Sequence, residues 1–91
     1  MPKFNVVVDL YYRPNVELKD DATLALALET ALWAREQYPP QEKYAGLSHQ
    51  IYLNYTDDDG NVTVLRRWKW TISKGQGYWK LLEIRGIPDD E

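Results

Sequence analysis

A run of acidic residues, Asp57-Asp58-Asp59-Gly60-Asn61, is the first candidate for chemistry in this sequence. Carboxylate and amide oxygens are the ligands that Ca²⁺ prefers, and an EF-hand loop needs Gly at its sixth position and a carboxylate at its twelfth. Counted from Asp57, those two positions hold Val62 and Trp68. The calcium motif therefore fails. The Asp-Gly pair instead predicts a solvated hairpin turn, because glycine readily takes the positive φ that such turns require.

Residues suited to catalysis are few. The chain has no Cys, which excludes disulfides, thiolate zinc sites and cysteine nucleophiles, and it has one His. His49 alternates with apolar residues such as Ile51, so we predict a histidine in the core or at its edge. Asp9 and Glu83 are carboxylates that can do acid–base chemistry, but nothing in the sequence places them together. We therefore expect no enzyme activity, no catalytic residues, no metal site and no cofactor.

A second apolar patch on a predicted helix is a candidate binding surface. Leu26 and Trp33 lie seven residues apart, with Glu29 beside them and the main apolar stripe of the helix nearly opposite. Exposed clusters of large apolar groups often mark partner surfaces, and Trp is enriched at interaction hot spots. An alternative is that residues 39–46, which include Tyr44, fold back over Trp33. The sequence leaves both possibilities open.

The uncovered side of the predicted sheet is a further candidate surface, because strand alternation collects aromatic and basic side chains there. Single-stranded nucleic acid needs rings on which bases can stack and cations for its phosphates. The same side chains can equally form cross-strand pairs that stabilise a solvated face. The residues predicted on this face are Tyr11, Arg13, Tyr52, Arg67, Lys69, Trp79 and Arg85.

The helix that carries the apolar patch is predicted over residues 21–37, which contain neither Gly nor Pro. Asp20 and Asp21 supply an N-cap and favourable charge, and Pro39-Pro40 ends the helix because proline lacks a donor and restricts the preceding residue. The stripe expected to face the sheet consists of Leu24, Ala27, Leu28, Ala31, Leu32 and Tyr38.

Four strands complete the predicted fold. Alternating apolar residues predict strands over 4–12, 47–55, 62–72 and 78–87, and the last three form a meander joined by tight turns. The first strand can pair with the second or with the last. The fold class is α+β with the order β-α-β-β-β, in which one helix packs on one face of a four-stranded, mainly antiparallel sheet. One helix can cover one face only.

Length and charge limit the function classes. The chain has 91 residues, which predicts a single domain over 1–91, with an acidic tail at 88–91 that we expect to be disordered. The net charge of −3 argues against coating duplex DNA by bulk charge. However, residues 62–87 hold six Lys/Arg and only Glu83, so the last hairpin is basic within an acidic protein. No apolar run is long enough to cross a bilayer, and we expect a cytoplasmic protein without membrane contact.

The sequence favours a non-catalytic protein–protein interaction module, of adaptor or inhibitor type, that docks on a larger protein whose identity it does not reveal. The separation of the basic last hairpin from the acidic rest of the chain supports this hypothesis, because electrostatic complementarity governs orientation and association rate at interfaces. The alternative is a single-stranded nucleic-acid-binding domain that uses the open sheet face. A homodimer through that face is compatible with either function.

Overall fold

One helix and one sheet make up the computed structural model, which describes residues 2–88. The elements are β1 (Lys3–Leu10), β2 (Val16–Glu17), α1 (Leu24–Gln37), a 3₁₀ helix (Glu42–Tyr44), β3 (His49–Thr56), β4 (Val62–Ser73) and β5 (Gln76–Ile84). Every strand pair is antiparallel, and the order across the sheet is β2-β1-β3-β4-β5.

The α+β class is confirmed, but the sheet has five strands rather than four. The additional strand is β2, whose residues pair with Val7 and Val8 at the outer edge of β1. Two residues are too few to show alternation, so the segment after Pro14 gave no strand signal. The first strand lies beside the second predicted strand, since β1 pairs with β3 along its whole length.

The core lies between α1 and the strands β1 and β3. The helix buries Ala27, Ala31 and Ala34 completely, and these small residues let its backbone approach the sheet. The side chains opposite them come from alternate positions of the two strands, as the sequence predicted. They are Phe4, Val6, Val8, Leu10, His49, Ile51, Leu53 and Tyr55. The expectation that Leu32 faces the sheet is wrong, because half of its surface is exposed on the flank of the helix.

The start of α1 is fixed by Thr23 and Asp21, with different roles. Thr23 is the N-cap, and its hydroxyl accepts a hydrogen bond from the Leu26 amide at 3.2 Å. Asp21 is buried, and its backbone pairs with Phe4 in an isolated antiparallel bridge. The predicted capping by Asp20 and Asp21 is therefore wrong, since the helix begins three residues later than expected.

The end of α1 depends on a hydrogen-bond donor from the edge strand β5. The Arg35 carbonyl would normally accept from the amide four residues later, but that position is Pro39, which has no N–H. The indole Nε1 of Trp79 on β5 donates to this carbonyl at 3.1 Å. The Arg35 guanidinium lies over the Trp68 ring, 4.3 Å from its centroid, and burial lowers the pKa of Arg35.

The β4–β5 hairpin turns through two residues and contains one irregular pairing. Lys74 and Gly75 both have positive φ, 52° and 77°, as a type I′ turn requires. The Trp70 ring lies where a Cβ at Gly77 would stand, so no larger residue fits there. One bulge interrupts the pairing of β3 with β4, and another places Leu81 and Leu82 together opposite Trp68.

His49 joins β3 to the loop that follows α1. It is fully buried, as predicted for a core histidine. Its Nδ1 accepts from the Tyr11 amide at 3.1 Å, and its Nε2 donates to the Tyr44 carbonyl at 2.7 Å. Both ring nitrogens thus have a partner, and the neutral ring with its proton on Nε2 satisfies them together.

The predicted acidic tail lies mostly outside the described residues, which stop at Pro88. In residues 2–88, the helices fall short of the length and apolar character that crossing a bilayer requires.

Replacing Thr23 by Ala tests the observed cap. We expect Thr23→Ala to lower the free energy of unfolding by about 0.5–2 kcal/mol, because the Leu26 amide loses its acceptor. Asp20→Ala is the matched control and should cost less than about 0.5 kcal/mol, since Asp20 makes only an exposed ion pair with Lys3. Urea unfolding followed by circular dichroism measures both, and a larger loss for Asp20→Ala would contradict this assignment.

Candidate functional site

A groove of about 450 Å³ runs along one flank of α1. The helix contributes Leu26 and Trp33, whose side chains are 47% and 48% exposed. The facing wall is the segment between β2 and α1. The residues that line the groove are Leu18, Lys19, Asp21, Leu26, Glu29, Thr30 and Trp33. The three predicted residues Leu26, Glu29 and Trp33 are thus brought together at one site.

The facing wall of the groove is attached to β1 at two points and to the helix at one. Leu18 donates from its amide to the Val6 carbonyl at 2.9 Å, and Phe4 donates to the Asp21 carbonyl at 3.0 Å. The Thr30 hydroxyl on α1 donates to Asp21 Oδ2 at 2.8 Å, which joins the helix to the facing wall. The groove is therefore formed before any ligand binds.

Trp33 is not covered by the loop that follows the helix. Its ring meets Tyr38 edge to face, with 6.0 Å between centroids and 74° between planes. The loop instead places Tyr44 on Tyr12, where the two rings stack at 4.4 Å. The alternative in which residues 39–46 fold over Trp33 is wrong, because that loop caps the other end of the core, near His49.

The open face, opposite α1, brings together two of the predicted residues, Arg67 and Arg85, in an ion-pair network with Glu83. Glu83 Oε1 lies 2.7 Å from Arg85 Nε, and its Oε2 lies 3.5 Å from Arg67 Nε. Arg67 Nη1 also donates to Gln50 Oε1 at 3.3 Å. Tyr52 pairs with Arg67 across the strands. Two of the cations predicted to meet phosphates are therefore already engaged with a carboxylate.

A second row on the open face holds two lysines of like charge. Lys69 of β4 pairs directly with Lys80 of β5, an arrangement that is unfavourable between neighbouring strands. Tyr52 lies in the adjacent row, where burial raises the pKa of its hydroxyl. The Asp9 charge raises that pKa further, and Arg67 lowers it.

The predicted position of Trp79 on the open face is wrong. Trp79 pairs with Trp70, packs edge to face against it at 5.1 Å, and donates to the helix, so it lies on the helix side. Tyr11 and Arg13 lie beyond the end of β1, in the turn that leads to β2, and both are exposed. The open face therefore has fewer aromatic rings than expected.

Several residues of the groove were not predicted from the sequence. Leu18 and Lys19 follow a strand of only two residues. The hydrophobic pattern of so short a strand cannot be told from that of a loop. Thr30 is polar and close to the predicted apolar stripe. The one available signal was Asp21, since an aspartate just before a helix often bonds to a nearby side chain or amide.

The acidic run at 57–61 forms a hairpin turn that satisfies its own hydrogen bonds. Asp57 Oδ1 accepts from the amides of Asp59 and Asn61, each at 2.9 Å. Gly60 takes a φ of 84°, as expected for the glycine of this turn. These bonds hold the pKa of Asp57 below its usual value, with the Asn61 amide as the main cause. The structure agrees with the prediction of a hairpin turn.

Neither metal geometry nor similarity identifies the site. In the part of the chain that the structure describes, no three His, Asp or Glu side chains lie close enough to hold a metal ion. The chain matches no protein-family model, and no curated protein or solved structure is significantly similar to it.

The Asp57 turn gives a pH-dependent prediction. Because hydrogen bonds lower the folded-state pKa of Asp57, its ionised carboxylate stabilises the fold above the unfolded pKa, and this contribution is lost as the pH falls through the folded pKa. We expect NMR of the carboxyl carbon to give a midpoint below about 3.9, the ordinary value for aspartate. Asp57→Asn, which cannot ionise, should reduce the pH dependence of unfolding in the same range. A midpoint at or above the ordinary value would contradict the turn geometry.

Proposed function

We propose that this protein is a non-catalytic protein–protein interaction module, an adaptor or inhibitor that docks on a larger partner through the groove beside α1. One observation carries the proposal. Leu26 and Trp33 are each about half exposed, and both line one groove of about 450 Å³. Clustered apolar groups of this kind mark binding surfaces, and Trp is enriched among hot-spot residues.

The rigidity of the groove favours binding. Association costs conformational entropy when loops and side chains must be ordered, and a preformed site avoids part of that cost. Here the Asp21–Thr30 bond, the Phe4–Asp21 bridge and the contact of Tyr38 with Trp33 fix the walls in the free protein.

The lining of the groove suggests the chemistry of its occupant. Its apolar walls, from Leu18, Leu26 and Trp33, suit one large aliphatic or aromatic side chain of a partner. Glu29 is exposed at the rim, whereas the Asp21 carboxylate is occupied by Thr30. A basic residue next to the apolar anchor would complement Glu29, so we propose an anchor of this kind flanked by Lys or Arg.

Two features of the open face support a protein partner over single-stranded nucleic acid. Stacking on bases needs exposed rings, and Trp79 lies on the helix side. Phosphates need available cations, and Arg67 and Arg85 share Glu83. The nucleic-acid function remains the alternative outcome of the experiment below.

A groove variant tests the proposal. Wild-type protein and the double variant Leu26→Glu, Trp33→Glu are used to capture partners from the native host, with and without nuclease. The matched control is Leu47→Glu, Val62→Glu, which changes two similarly exposed apolar residues away from the groove. We expect a defined protein that wild type and control retain and the groove variant binds at least about 30-fold more weakly, as for a hot spot of about 2 kcal/mol.

The captured partner can then be used to map the binding surface on this protein by NMR. Titration of its binding fragment should shift the NMR amide signals of Leu18, Leu26 and Thr30 and leave those of Lys69 unchanged. Binding that the groove variant retains would contradict the proposal. Nuclease-sensitive binding that Arg67→Ala with Lys69→Ala abolishes would establish the nucleic-acid alternative.

A further inference from the structure

The outer strand β5 is an edge of the sheet, and its apolar side chains after Trp79 are exposed. It ends the sheet, and its outward backbone groups have no neighbouring strand among the described residues. Leu81, Leu82 and Ile84 are 41%, 43% and 66% exposed. Long, exposed, apolar edge strands are templates for pairing with another chain, and natural proteins normally protect them.

We propose that β5 pairs antiparallel with β5 of a second copy of this chain, which joins two five-stranded sheets into one. The pairing is two-fold symmetric, and its axis passes between Leu81 and Leu82. Residues that face each other across the axis then have numbers that add up to 163, as Lys80 and Glu83 do. The two strands are paired over residues 78–85. This surface lies on the opposite flank of α1 from the groove and does not depend on the proposed function.

The bulge in β5 permits this register. In a regular strand, residues 80 and 83 point to opposite faces, so they cannot stand opposite each other in an antiparallel pair. In β5 the additional residue Leu82 shifts the alternation by one position, so Lys80 and Glu83 lie on the same face. Lys80 pairs with Lys69 and Glu83 pairs with Arg67, both on the open face. A symmetric pair without a bulge would instead place one residue against its own copy.

Charge complementarity selects this register. An axis at Lys80 would oppose two lysines, and one at Glu83 would oppose two glutamates, which is destabilising across strands. In the proposed register Lys80 of each copy faces Glu83 of the other. The lysine, which pairs with Lys69 of its own chain, thereby gains an opposite charge.

The side chains on the helix side also match. Trp79 of one copy stands opposite Ile84 of the other, an aromatic–β-branched pair of a type that stabilises sheets. Leu81 stands opposite Leu82 at the axis. The three exposed apolar residues of β5 thus gain neighbours at the usual distance of about 5 Å between Cβ atoms of paired residues.

Sedimentation of the full chain tests dimer formation. We expect a monomer of 10.7 kDa to convert to a species of twice that mass as concentration rises from about 1 μM to 1 mM. Ile84→Glu should weaken the dimer about tenfold or more, whereas Val62→Glu, at 61% exposed a matched control, should leave it unchanged. A protein that stays monomeric up to about 1 mM overturns the proposal.

Cysteine cross-linking tests the register, and the chain has no native Cys to interfere. Tyr78→Cys and Arg85→Cys change two exposed positions that face each other across the proposed axis. Under oxidation, an equal mixture of the two variants should form a disulfide-linked dimer. Neither variant alone should, because identical positions would lie about seven residues, or roughly 23 Å, apart. A dimer in which the mixture fails to cross-link, or in which either single variant cross-links as well, overturns this pairing.

Discussion

The contact of three alanines with the sheet determines where the helix can lie. Ala27, Ala31 and Ala34 are fully buried against β1 and β3, and no larger residue of α1 is. A helix about 10 Å across covers about two strands spaced at 4.8 Å. Because this contact centres the helix on β1 and β3, the helix does not cover the strands on either side of that pair. Other parts of the chain pack there, in a different way on each side.

On the side of β1, the chain compensates with the segment that leads into α1. Asp21 joins this segment to β1 through its backbone and to the helix through Thr30. The gap between helix and segment becomes the groove with Trp33 at its edge. On the side of β4, large side chains connect the helix to the sheet. Arg35 lies over the Trp68 ring, and Trp79 donates a hydrogen bond to the end of the helix. Beyond them β5 stays exposed.

The sequence predicted the features that follow from local rules. Pro39-Pro40 marked the end of the helix, and the alternation around Val6 and Ile51 identified the buried faces of two strands. The grouping of Leu26, Glu29 and Trp33 also followed, because helical periodicity places residues three, four and seven apart on one side. These features need no knowledge of distant contacts.

The features that the sequence did not predict depend on pairing between distant residues. The residue that caps the helix was missed because Asp20 and Asp21 are equally good N-caps by type, and the bridge to Phe4 removes Asp21 from that role. Trp79 was assigned to the wrong face because the weak alternation of the last strand does not show how it pairs with β4. The actual turn has two residues, which pairs Trp79 with Trp70 and therefore with the helix side.

The hydrogen bond from Trp79 to the Arg35 carbonyl also has a consequence for folding. It joins residues 44 positions apart, and it supplies the helix with a terminal donor that Pro39 cannot give. The last turn of α1 is therefore complete only after the final hairpin has docked. Local unfolding of the two elements is coupled, so amide hydrogen exchange in the C-terminal turn of the helix should follow the opening of β5 rather than ordinary fraying of a helix end.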